Sequence, residues 1–131
     1  MDLNHILIVD DWHVSRRLIK NKLNDLGYGN FTEATDPLGA YVELIQNNSI
    51  NFVILGEDMS MLCRIKLIND IRNSSEPDID KHIPILVVVG KFEEENQKKL
   101  LEAGASGFIV KLFTPDQLGA KIREILEQIA K

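Results

Sequence analysis

Cysteine occurs once in the 131 residues, at Cys63, so no internal disulfide can staple the chain. No apolar run approaches the roughly 18 residues of a membrane span, and no charged, signal-like start precedes one. The G-x-x-x-x-G-K-S/T loop that cradles nucleotide phosphates is missing, as are internal repeats and low-complexity tracts. Positive charge is in the minority: 15 Lys and Arg against 20 Asp and Glu leave a net charge of -5. That balance argues against a broad nucleic-acid or anionic-membrane surface. The expectation is a cytoplasmic protein with no nucleic-acid and no membrane partner. What is present is ordinary globular usage, 44% hydrophobic and 27% charged, in a length that suits a single domain over residues 1–131 with one sizeable core.

Short apolar runs alternate with stretches of helical period along the whole chain, the pattern of consecutive βαβ units on a parallel sheet. The strand candidates are His5–Val9, Asn30–Glu33, Asn51–Leu55, Ile85–Val89 and Phe108–Val110. Three of them contain continuously apolar stretches, "ILIV", "FVIL" and "ILVVV", as strands covered on both faces should. Val14, Leu18, Ile19, Leu23 and Leu26 share one helical face, with Gly27 as the stop; Leu118, Ile122, Ile125, Leu126 and Ile129 share another, with Thr114 as N-cap and Pro115 at the first helical position. Leu38, Tyr41, Val42 and Ile45 mark a second helix, Leu62, Ile65, Ile68 and Ile71 a third, and Leu100, Leu101 and Ala103 a fourth. The polar stretch 73–84 reads as a surface loop. The expected fold class is α/β, a doubly wound (βα)5 domain with a five-stranded parallel sheet.

In such sheets ligands collect outside the carboxyl ends of the strands. Asp10 and Asp11 follow the first strand, Gly56, Glu57 and Asp58 the third, Gly90 and Lys91 the fourth, and Lys111 the fifth. Adjacent anions at a buried strand end repel unless a cation or donors neutralise them. A hard divalent ion or the Lys111 ammonium would serve, and Asp10 and Asp11 would equally suit the N-terminus of the first helix as caps.

The acid pair after strand 1, the lysine after strand 5, and "EAGASGFIVKLFTPDQL" leading into the last helix together resemble the receiver domains of two-component response regulators, closest to the single-domain CheY-like group. The resemblance covers about the whole chain and implies a flavodoxin/CheY-like three-layer sandwich acting in phosphorelay signalling. It assigns Asp10 and Asp11 to Mg²⁺, Lys111 to the conserved-type lysine and Phe108 to the aromatic switch position. At the phosphoryl-acceptor position it finds Gly56, and at the hydroxyl position Val89. Glycine has no atom to attack a phosphoryl donor, and valine lacks the hydrogen-bond donor of threonine. No catalytic residue is therefore expected. The chain is instead expected to be a degenerate, phosphorylation-independent interaction module and not an enzyme. Ser60, Cys63 and Arg64 replace the family's proline and its Asp-Gly pair, and Leu112 replaces a proline whose preceding bond is commonly cis. A cis bond before a non-proline residue costs about 3 kcal/mol or more, so Lys111–Leu112 is expected to be trans.

Asp58 is placed to join Asp10 and Asp11 as a weak Mg²⁺ set; no cofactor, or weak Mg²⁺, is the expectation. Phosphorylation at Asp58, or an Mg²⁺-dependent phosphatase-like activity, are the alternatives. The latter is disfavoured because dehalogenase-type sites use D-x-D after the first strand. The favoured pocket is metal-free, with Lys111 paired to Asp10 or Asp11 and Trp12 at its rim beside Gly56 and Val89. His13 reads as solvated, Cys63 as half-buried and unreactive, and the basic first helix as a solvated face. By resemblance the partner, a histidine kinase or a signalling target, meets helix 4, strand 5 and helix 5, the face carrying Glu93–Glu95, Lys98, Lys99, Phe108 and Lys121.

Overall fold

The computed structural model describes residues 3–130. Five strands, β1 (Ile6–Val9), β2 (Phe31–Ala34), β3 (Phe52–Leu55), β4 (Ile85–Val89) and β5 (Gly107–Val110), alternate with five helices, α1 (His13–Asp25), α2 (Pro37–Gln46), α3 (Met61–Arg72), α4 (Glu94–Ala103) and α5 (Pro115–Ala130). All strand pairings are parallel, in the order β2-β1-β3-β4-β5. Every residue of β1, β3 and β4 is buried, as their unbroken apolar runs require once helices cover both faces. Alternate strand residues feed two cores. Leu7, Val9, Val53, Leu55, Val87 and Val89 pack under α2, α3 and α4, and Ile6, Ile8, Phe52, Ile54, Leu86 and Val88 under α1 and α5.

The strands lie within one residue of their expected ends, and Ile68, Ile71 and Leu100 are buried as expected, but several single helix positions depart from expectation. Leu38, Val42 and Leu62 are exposed, and Ala40, Leu44 and Leu67 are buried in their stead. In α2 Ala40 and Leu44 enter the core with Tyr41 and Ile45 partly buried beside them, and Leu38 and Val42 stand outward. Leu101 is likewise exposed, whereas the polar Gln97 is buried. Within the 73–84 loop, Ile79 and Ile83 turn inward and close the edge of the first core.

Helix ends follow local chemistry. Gly27 takes φ +94 past the end of α1, a conformation glycine adopts without a Cβ penalty. Thr114 Oγ1 accepts from the Gln117 N–H at 3.1 Å while Gln117 Oε1 accepts from the Thr114 N–H at 2.8 Å, a reciprocal cap that starts α5. Arg72, in the last turn of α3, donates to Gly104 O at 2.9 Å and to Ile83 O at 2.7 Å, tying α3 to the turn before β5. No helix among the described residues is long and apolar enough to cross a membrane.

Candidate functional site at the carboxyl edge of the sheet

The chain runs from β1 outward to β2 and then returns to β3 on the other side, so the β1/β3 boundary is where strand order reverses and a crevice opens. Val9 pairs with Leu55, and the ladder continues one step through the Gly56 N–H to Val9 O at 2.8 Å. Asp10 therefore stands directly beside Gly56, on the same face of the sheet.

Asp10 has no solvent exposure. Its Oδ1 accepts from the Trp12 N–H at 3.0 Å and its Oδ2 from Ser15 Oγ at 2.6 Å, and Arg16 donates to its carbonyl at 2.7 Å. The carboxyl group leans over Gly56: a Cβ built there would lie 2.5 Å from Asp10 Cγ and 2.8 Å from Asp10 Cβ, and nearer still to Oδ2. The space that any side chain at position 56 would enter is filled from the neighbouring strand. A second glycine repeats the arrangement, since a Cβ on Gly90 would lie 2.6 Å from Glu57 Oε2.

Glu57 forms an ion pair with Lys111. This corrects the expectation that Lys111 pairs with Asp10 or Asp11. Asp10 is buried with both oxygens committed to donors of its own loop and helix, whereas Glu57 reaches across the edge over a residue that has no Cβ. The contact raises the pKa of Lys111, first through the hydrogen bond to Glu57 and then through the charges of Glu57, Asp58 and Asp10, against some desolvation.

Arg64 projects from the first turns of α3 and donates to Val88 O at 2.9 Å, a carbonyl just beyond the last register pair of β3 and β4. It is only 7% exposed, and its buried Nε has no hydrogen-bond partner. Burial pushes its pKa down, and the charges of Glu57 and Asp10 hold it up. The sequence noted Arg64 only as a departure from a family pattern and gave neither it, Glu57 nor Ser15 a role. A long cation four residues past the Ser60 N-cap, together with glycines following two adjacent strands, was the available signal.

Other expected site residues lie at the rim. Asp11 and Asp58 are exposed on separate loops, and Trp12 is half exposed. Burial and the charges of Asp10 and Glu57 push the Asp58 carboxyl above its ordinary range. Val89 is buried in the first core. Among the described residues, no three His, Cys, Asp or Glu side chains gather closely enough to hold a metal ion. With Asp10 turned onto Gly56, its oxygens taken by Trp12 and Ser15, and Lys111 on Glu57, the residues present do not fit Mg²⁺. The Lys111–Leu112 peptide is cis, not trans as expected. The expectation weighed only the intrinsic preference of the bond, but here the loop is fixed on both sides, by the Lys111 N–H to Val89 O at 2.9 Å and by the Thr114–Gln117 cap.

Across the molecule's α4–β5 side, Phe92, Gln97, Lys98, Leu101 and Phe108 line an open groove of about 550 Å³. The Phe92 and Phe108 rings lie 6.0 Å apart between centroids, and Gln97 Oε1 fixes the groove's upper loop by accepting from the Glu93 N–H at 2.7 Å. Lys98 and Lys121 each lie beside a glutamate of their own helix, Glu102 and Glu124, and Lys99 is exposed.

A crevice at the strand reversal, with an acid after β1 and a lysine after β5, agrees with the model of the response regulator receiver domain, which matches residues 6–123. The chain belongs to the response regulator receiver family. It is similar to the chemotaxis protein CheY-3 of Vibrio cholerae serotype O1, with 36% identity over 124 residues covering 95% of this chain and 92% of that protein. It is also similar to the chemotaxis protein CheY of Pseudomonas aeruginosa, with 34% identity covering 95% and 97%. Among solved structures, the chemotaxis response regulator CheY4 of Vibrio cholerae superposes with a TM-score of 0.78 at 23% identity, covering 95% of this chain and 99% of that one. A two-component response regulator from Clostridium difficile does so with a TM-score of 0.78 at 21% identity, covering 98% and 99%. The receiver is a module of two-component signalling, a class that interacts with histidine kinases and with target proteins.

Proposed function

We propose that this receiver is degenerate: a cytoplasmic, non-enzymatic interaction module that binds a protein partner without being phosphorylated. The observation that carries this reading is the Asp10 carboxylate resting in the space above Gly56, where a receiver would otherwise present its acceptor. The position has no nucleophile of its own. Val89, buried and without a hydroxyl, offers no donor to a phosphoryl group. The partner, a histidine kinase or a signalling target, meets the α4–β5–α5 face. Phe92, Leu101 and Phe108 supply its apolar centre and Lys98, Lys99 and Lys121 its charged rim.

The test is to incubate the full chain with acetyl phosphate, and separately with beryllofluoride, each with Mg²⁺, and to record its intact mass and amide spectrum. Unchanged mass and unshifted resonances at residues 10, 56–58, 89 and 108 are expected. A base-labile gain of one phosphate, whether on Asp58 or on another acid, would refute the reading and make the chain a regulator with a displaced acceptor.

A further inference from the structure

The two carboxylates that face inward at the carboxyl edge are held by the chain's own donors, but only one of them is paired with a cation. Asp10 is wholly buried and gives its oxygens to Trp12 N–H and Ser15 Oγ; Glu57 is held by Lys111. A guanidinium taken out of water loses solvation that nearby anions or acceptors must offset. Arg64 nevertheless lies at 7% exposure, with one hydrogen bond to Val88 O and an unpartnered Nε. Hydrogen bonding alone does not account for it there, and the charges of Glu57 and Asp10, which favour the guanidinium without touching it as an ion pair, offset its burial.

We infer that Arg64 is the pocket's built-in counter-cation: it takes the charge-balancing place of a divalent ion between the ends of β1, β3 and β4, and so excludes Mg²⁺. Its position falls where the family resemblance calls for glycine, and a glycine there would leave that volume open. Two changes therefore compensate each other. Loss of the acid at position 56 removes one negative charge, and gain of Arg64 adds one positive charge, so the interior no longer carries the surplus that draws in a hard cation. Asp11 and Asp58 lie exposed at the rim and do not close with Asp10 into a group able to hold a metal ion.

The inference concerns the same pocket as the proposed function but fails separately, because its readout is metal binding and not phosphoryl transfer. Mg²⁺ and Mn²⁺ are titrated into the full chain, following Trp12 emission and, for Mn²⁺, paramagnetic broadening of the amides of residues 10, 11 and 56–58. Three forms are compared: the unaltered chain, Arg64→Lys, which keeps the charge, and Arg64→Met, which keeps bulk and removes it. The unaltered chain and Arg64→Lys should show no saturable response. Arg64→Met should bind about tenfold more tightly or better, the least expected from deleting a full charge in a low-dielectric site. Saturable binding by the unaltered chain at these amides overturns the inference, and so does a folded Arg64→Met protein with no gain. Should Arg64→Met not fold, the unaltered chain decides alone: a flat titration supports the inference, and a saturable one overturns it.

Discussion

Replacing Gly56 with alanine adds one methyl group at the most crowded point of the carboxyl edge. The new Cβ would lie 2.8 Å from Asp10 Cβ and 2.5 Å from Asp10 Cγ, below the 3.0 Å that real Cβ contacts essentially never breach. The carboxyl end can swing aside, but Asp10 Cβ moves only with the backbone. Overpacking of this kind costs about 1–3 kcal/mol. Swinging the carboxylate also gives up a hydrogen bond from Ser15 Oγ or the Trp12 N–H, and hydrogen bonds to charged groups are worth about 1.5–3 kcal/mol before water recovers part of the loss. A destabilisation of about 2–4 kcal/mol follows, a large share of the roughly 5–15 kcal/mol that holds an ordinary domain together. Urea unfolding followed by the emission of the single tryptophan, Trp12, measures it. In an Asp10→Gly background both obstructions vanish, and Gly56→Ala should become neutral or stabilising by about 0.4–1 kcal/mol, because Gly56 does not occupy the left-handed region. A Gly56→Ala protein within about 0.5 kcal/mol of the parent, or an effect of equal size in both backgrounds, would show that Asp10 does not fill this space.

Two further outcomes concern pH. Because the pairing with Glu57 raises the Lys111 pKa above its ordinary 10.5, the stability it contributes is fully present below that value and is lost as pH rises through the higher folded value. Glu57→Gln should lower stability at neutral pH by about 0.2–1 kcal/mol, as for a pair that solvent still reaches, and flatten the alkaline limb; parallel alkaline limbs would refute the assignment. Asp58 has its folded pKa raised above 3.8, so its contribution is present in acid and lost as pH rises through the folded value. Asp58→Asn should therefore stabilise the protein by a few tenths of a kcal/mol at pH 7 and leave it unchanged below pH 3.8, measured by thermal melts across the range; destabilisation at pH 7 would contradict the repulsion.

The strands were legible because β1, β3 and β4 are buried on both sides, and a two-sided strand writes an unbroken apolar run into the chain. Helical faces were less so. Ala40 packs against the sheet while Leu38 and Val42 face outward, and hydrophobic spacing alone does not tell a small residue in close contact from a large one left outside. At the site, the placement of Asp10, Gly56, Val89 and Lys111 at strand ends followed from the sequence, because each lies within a residue or two of an apolar run. Their partners did not. Which acid Lys111 reaches depends on Gly90 clearing a path for Glu57, and Arg64 acts through the length of a side chain that crosses from a helix to a strand. Such contacts belong to distances in space, which strand and helix periods do not encode.

Helix α3 is fastened at both ends by an arginine, Arg64 to the end of β4 and Arg72 to the turn before β5. A bar riveted at two points cannot slide along its axis without breaking one of them, so the strand ends it grips cannot shift one by one. Local opening would have to release a buried guanidinium into solvent, and amide protons along α3 should exchange with deuterium nearly as slowly as those of the central strands. The segment so pinned then behaves as a fixed spacer between the strand ends it joins.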